Sequence, residues 1–199
     1  MLRTAAILAL GAMSALAQGS LTLVQDGTPN ASIVVAPNAP NTVTRAATEL
    51  RNTIKRSTGA ELPILVGERP TAGHSVFLGE SAFTRELGIS VQGVKPDGYR
   101  WQTGPDWLVI VGRDHGGGVV HGMRNPWNPH EVYNHELKLG AFGEAGTLYG
   151  AYHFLERFLG VRWYMPGDLG TVIPRHRSVS IPFLNVTQEP DFEYRYSWF

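Results

Sequence analysis

The run Trp107-Leu108-Val109-Ile110-Val111 is apolar at every position, with Gly104-Pro105-Asp106 before it and Gly112 after it. A strand with one wet face alternates polar and apolar residues; one without alternation is covered on both faces. This run therefore predicts a central strand. Gly98 to Thr103, on the far side of the same turn, pairs with it as a hairpin.

Other short apolar segments read as strands around it. They are Leu21 to Val24, Ser32 to Ala36, Leu62 to Val66 (read as buried) and Ser75 to Gly79. Toward the end come Val161–Tyr164, Thr171–Ile173 and Ser178–Ile181. The turn residues Asp26-Gly27-Thr28-Pro29-Asn30 divide the first two. Only two segments have helical periodicity over a useful length. In the first, Val43, Ala46, Ala47, Leu50 and Ile54 recur on one face, opposite Arg45, Glu49, Arg51, Lys55 and Arg56. Asn41 or Thr42 suits its N-cap and Gly59 its left-handed stop. The second runs from about Thr147 to Leu159, with Leu148, Ala151, Tyr152, Leu155, Phe158 and Leu159 on its apolar side and Gly160 after it. It carries more aromatic residues and fewer charges than the first, so it is expected to be the more buried. A shorter helix, capped by Ser81, fits 81–88. Together these elements predict an α+β fold: a mixed, largely antiparallel sheet with two helices packed on one face. Strand order is not readable from the sequence.

The N-terminus reads as an export signal. Met1-Leu2-Arg3 gives a positive start, Ala5 to Leu16 is apolar, and Ala15-Leu16-Ala17 has the small-x-small cleavage pattern. Residues 1–17 are assigned to a signal peptide and the mature chain to Gln18 onward, exported to the periplasm or the exterior. With no cysteine, no disulfide framework follows from export. The 17 basic residues balance the 17 acidic ones without a basic block, which argues against nucleic acid and membrane as partners.

Candidate chemistry concentrates in Asp114 to Ala145, a long irregular segment with four histidines. His130-Glu131-Val132-Tyr133-Asn134-His135 resembles the zinc-protease signature with one residue too many. Histidines five apart diverge by about 140° on a helix and cannot share one metal. His115, His121, His130 and His135 have no ligand spacing, so no metal is assigned. Gly112 to Gly118 lacks the Gly-Lys-Ser/Thr of a phosphate cradle and reads as a turn. Glycosidic hydrolysis needs two carboxyl groups across the scissile bond. Asp114, Glu131, Glu136 and Glu144 are candidates, but no spacing selects a pair, so no catalytic residue is assigned. Glu156 reads as a surface or interface charge. The aromatics between Phe154 and Phe199 suit core or interdomain packing better than stacking on sugar rings.

The run Gly146-Thr147-Leu148-Tyr149-Gly150-Ala151-Tyr152-His153-Phe154-Leu155-Glu156, continued by Leu159-Gly160-Val161-Arg162-Trp163-Tyr164-Met165-Pro166-Gly167, resembles the N-terminal domains of bacterial alpha-glucuronidases of glycoside hydrolase family 67. It is similar also to the second domain of family 20 beta-N-acetylhexosaminidases. Val172-Ile173-Pro174 and Glu189-Pro190-Asp191-Phe192-Glu193-Tyr194-Arg195 extend the match, which spans roughly Leu21 to Arg195.

The resemblance implies a hexosaminidase-domain-2-like head, residues 18–185, with 186–199 as linker and start of a C-terminal catalytic (β/α)₈ barrel. The barrel of the same chain and a carbohydrate substrate are then the expected partners. The catalytic carboxylates are expected in that barrel, and no cofactor is expected. The resemblance places Arg195 where hexosaminidases carry a sugar-binding arginine; Tyr196, at their usual glycine, departs from the pattern. A salt bridge to a nearby acid is an equal reading for Arg195. A carbohydrate-binding or structural interaction domain without hydrolase activity is the alternative for the whole segment.

Overall fold

The computed structural model describes residues 19–114, the strand residues 133–134 and 139–140, and residues 144–192. In chain order the elements are β1 (Ser20–Gln25), β2 (Thr28–Pro29), β3 (Ala31–Val35), α1 (Asn41–Thr58), β4 (Ile64–Val66), β5 (His74–Leu78), α2 (Ala82–Glu86), β6 (Tyr99–Thr103) and β7 (Trp107–Gly112). There follow β8 (Tyr133–Asn134), β9 (Leu139–Gly140), α3 (Gly146–Leu159), β10 (Arg162–Trp163), a 3-10 turn (Asp168–Gly170), β11 (Thr171–Val172), β12 (Val179–Pro182) and β13 (Asn185–Gln188).

A six-stranded sheet of order β13-β6-β7-β5-β3-β4 forms the frame. The fold is α+β, as expected, and six of the nine strand pairings among the described residues are antiparallel. The three parallel pairings all lie in the main sheet, joining β7, β5, β3 and β4. A parallel neighbour needs a crossover; α1 supplies it between β3 and β4, and no periodicity within a strand reveals this. The hairpin β6–β7 forms as predicted, and β7 is interior, between β6 and β5.

The uniform apolarity of β7 is matched by cover on both faces. Leu108 and Ile110 join Ile33, Val35, Val76 and Leu78 beneath α1 and α3. Val109 and Val111 point the other way, with Val34 and Phe77, toward Phe83 and Leu87 of the α2 region and Ile89. Both long helices pack on one face; the short α2 and the residues after it cover the other. Leu62 is buried, but β4 is an edge strand and Val66 is exposed, so the buried-strand expectation for Leu62–Val66 is corrected. An edge strand has a neighbour on one side only, and its outer side chains stay wet.

Helix ends follow local chemistry in part. Gly59 and Gly160 both adopt the left-handed conformation and close α1 and α3. Ser81 caps α2 in a reciprocal capping box with Thr84. The N-cap of α1 is Pro40, without a side-chain hydrogen bond, and not Asn41 or Thr42. The expectation for α3 holds: it buries eight of 14 residues, against eight of 18 in α1. At its start two glycines meet. A Cβ on Gly146 would sit 2.3 Å from the Gly98 carbonyl oxygen, and one on Gly112 would sit 2.2 Å from the Gly146 carbonyl carbon. Only hydrogen at both positions allows helix and strand backbones to touch.

Candidate functional site

The C-terminal ends of β3, β5 and β7 lie side by side at one edge of the sheet, where open parallel sheets commonly form ligand crevices. A cavity of about 440 Å³ opens there. Its walls are the Ala36–Pro40 connection into α1, the Glu80–Ala82 turn into α2 with Arg85, and the end of β7 with Asp114. Glu80 is partly committed, since its Oε1 accepts the Val91 N–H at 3.2 Å. The crevice escaped the sequence reading because it depends on which strands run parallel. The one local signal was the proline-flanked turn Pro37-Asn38-Ala39-Pro40 between a strand and a helix.

Asp114 is the most perturbed acid of the site. Burial pushes its carboxyl up to about 6, opposed by hydrogen bonds from Thr147, and the charge of Glu144 adds to the rise. Oδ1 accepts the Thr147 N–H at 3.1 Å and Oδ2 the Thr147 hydroxyl; that hydroxyl in turn accepts the Gly112 N–H at 2.9 Å. The Thr42 hydroxyl also acts on the carboxyl but makes no hydrogen bond of regular geometry. Asp114 thus caps α3 from 33 residues upstream, where Ala145 offers no side-chain cap.

Beside it, the Arg113 guanidinium grips Glu144 with a two-pronged contact, Nε to Oε2 at 3.1 Å and Nη2 to Oε1 at 2.7 Å. The Gly146 N–H donates to the Arg113 carbonyl at 2.9 Å, and the Ala145 N–H to Asp97 Oδ1 at 3.1 Å. Arg113 and Asp114 are therefore stapled to Glu144, Gly146 and Thr147 at the base of α3. Two of the four candidate acids, Asp114 and Glu144, serve this staple. Glu131, Glu136, the histidines 115, 121, 130 and 135, and Arg195 lie outside the described residues.

The late aromatic residues divide. Phe154 is fully buried and Phe158 packs against the core, as the packing reading expects. The turn from β10 to β11 is different: Tyr164 is 78% exposed, Met165 58%, Leu169 99% and Val172 49%. Four large apolar residues are thus left open within nine positions. The sequence reading passed over Trp101, which is fully buried and donates from Nε1 to the Gly150 carbonyl at 3.1 Å.

This architecture is similar to part of a glycoside hydrolase. The fold matches a family 115 4-O-methyl-alpha-glucuronidase with specificity for decorated arabinogalactans, with a TM-score of 0.57 at 18% identity over 87% of this chain and 19% of that one. A beta-N-acetylhexosaminidase from Bacteroides fragilis aligns at a TM-score of 0.38 and 12% identity, over 86% of this chain and 21% of that one. The chain thus spans about a fifth of the length of either enzyme. No protein-family profile matches the chain, and no characterised sequence resembles it significantly.

Proposed function

We propose that this chain is the non-catalytic N-terminal domain of a secreted glycoside hydrolase, alpha-glucuronidase-like or hexosaminidase-like, acting in polysaccharide breakdown. The observation that carries the reading is the fold correspondence with the glucuronidase, which takes in 87% of this chain and only 19% of that enzyme. The run Gly146 to Gly167 supports it independently, because its first two glycines, Gly146 and Gly150, sit where α3 touches the sheet. So does the commitment of Asp114 and Glu144 to the staple. In this reading the exposed turn carrying Tyr164, Met165, Leu169 and Val172 docks against a catalytic barrel of the same polypeptide. Arg195 then offers its guanidinium to sugar hydroxyls, and residues 1–17 direct export.

The test compares the chain alone with the polypeptide encoded through a downstream barrel. The chain alone should release no sugar from glucuronoxylan or arabinogalactan fragments, and the longer polypeptide should. Turnover by the chain alone, above a heat-inactivated control, refutes the non-catalytic assignment. An exported product that still carries residues 1–17 refutes the signal-peptide assignment.

A further inference from the structure

On the solvent side of the α1–α3 contact lies a second cleft, of about 490 Å³, lined by Arg45 and Glu49 of α1, Tyr152 and Glu156 of α3, and Trp163 of β10. That volume falls within the roughly 300–1,000 Å³ of small-molecule sites. Arg45 with Glu49 and Tyr152 with Glu156 are each four apart, so each pair shares one helix face. Trp163 stands edge-on to Tyr152, ring centroids 5.2 Å apart at 75°, and keeps 38% of its surface open. Tyr152 thus braces the indole and leaves part of its surface free.

The polar groups are incompletely paired. Arg45 binds Glu49 through Nη2, while its Nε is buried without a hydrogen-bond partner. The Tyr152 hydroxyl is pushed up by burial and by the charge of Glu49, and a hydrogen bond with Arg45 opposes the rise, so these two groups already answer each other. The carboxylate of Glu156 hydrogen-bonds to no described residue; only its backbone carbonyl is used, by Arg162. Only the Arg45 Nε is a buried donor without a partner, which costs stability; the half-buried Glu156 carboxylate keeps its contact with water.

A braced indole next to a guanidinium donor and two carboxylate acceptors suits a ring with an apolar C–H face and a rim of hydroxyls. Arg45 and Glu49 cancel in charge and Glu156 remains, so the cleft is net negative and disfavours an anionic sugar. We propose that this cleft binds a neutral pyranose, with the ring stacked on Trp163, its hydroxyls donating to Glu156 and Glu49, and Arg45 donating to a ring or hydroxyl oxygen. The inference stands on the cleft's own chemistry and not on the activity of any longer polypeptide.

The test titrates the whole chain with xylotetraose, cellotetraose and galactotetraose, and with tri-galacturonate as the anionic comparison, by calorimetry and tryptophan fluorescence. At least one neutral tetrasaccharide should bind in the millimolar range or tighter. Trp163→Ala should weaken it about tenfold or more and Glu156→Gln severalfold, while Trp163→Phe retains most of the affinity. Glu156→Gln is isosteric and lies at the surface, so it reports on the site even if Trp163→Ala fails to fold. No saturable binding of any neutral tetrasaccharide overturns the proposal. So does binding indifferent to Trp163→Ala and Glu156→Gln in folded protein, or tighter binding of tri-galacturonate. If the longer polypeptide hydrolyses its substrate while this cleft binds nothing, only the present inference falls. If the cleft binds sugar and no hydrolase follows the chain, the inference stands and the proposed function falls.

Discussion

Replacing Gly146 with alanine sets two effects of opposite sign against each other. Its backbone does not need a left-handed angle, so alanine can adopt it. Helix propensity alone would then favour the change, by up to about 1 kcal/mol. Packing opposes it. The new methyl carbon would lie 2.3 Å from the Gly98 carbonyl oxygen, 2.7 Å from the Arg113 nitrogen and 2.9 Å from the Gly112 Cα, all of them backbone atoms. Backbone atoms at and just beyond the strand ends cannot rotate away as a side chain can, so the helix must lift by about an ångström, and overpacking of this kind costs about 1–3 kcal/mol. Lifting also strains the Gly146 N–H bond to Arg113 and the links from Thr147 to Asp114 and Gly112, each worth about 1 kcal/mol. The expected loss is therefore about 3–5 kcal/mol, and Tm falls by about 10 °C or more. Urea unfolding followed by circular dichroism measures it. Gly150→Ala is the internal control: its Cβ would meet the Ile110 Cγ2 at 2.9 Å, a side chain that can give way, so the loss should be smaller. A Gly146→Ala variant as stable as the parent, or a larger loss for Gly150→Ala, refutes the close-contact account of this helix.

Leu155 is fully buried in the α1–α3 core, so Leu155→Ala should cost about 2–5 kcal/mol; a loss below about 0.5 kcal/mol in urea unfolding would put it on the wrong face. Ser81→Ala removes one half of the buried capping box of α2 and should cost about 1–2 kcal/mol, with unchanged stability counting against the cap. Asp114 has a folded value of about 6 against an ordinary 3.8, so the native state favours its protonated form. Relative to Asp114→Asn, stability should rise as pH falls through 6 and level off below about 4. The span is at most about 3 kcal/mol, less because the group keeps some solvent contact. A flat or opposite difference between pH 7 and pH 4 would refute the burial of this carboxyl.

Periodicity carried the sequence reading where the signal is local. The apolar faces of α1 and α3, the glycine stops at Gly59 and Gly160, the Ser81 cap and the β6–β7 hairpin each depend on residues within a few positions of one another. β13 was not anticipated: Asn185–Gln188 is short and half polar, and becomes a strand by pairing with β6, carrying the sheet three residues beyond the boundary drawn at 185. The Asn41 or Thr42 cap failed because propensity names residues able to cap, while the entry angle of the chain picks the one that stands there. The candidate acids show the same limit, since the sequence offered Asp114 and Glu144 for chemistry and their partners Thr147 and Arg113 claimed them for the staple.

What the sequence by itself determined is the set of elements, their buried faces and the α+β class, because those follow from the spacing of apolar residues along one strand or one turn of helix. What only the tertiary structure decided is the order and direction of the strands, and with it the crevice at the ends of β3, β5 and β7 and the cleft between α1 and α3. Both sites join residues from separate elements, and nothing in the local pattern of one element records which other element lies beside it. The physical reason is that burial rewards covering an apolar face without regard to what covers it; the choice among possible covers is made by the whole chain at once.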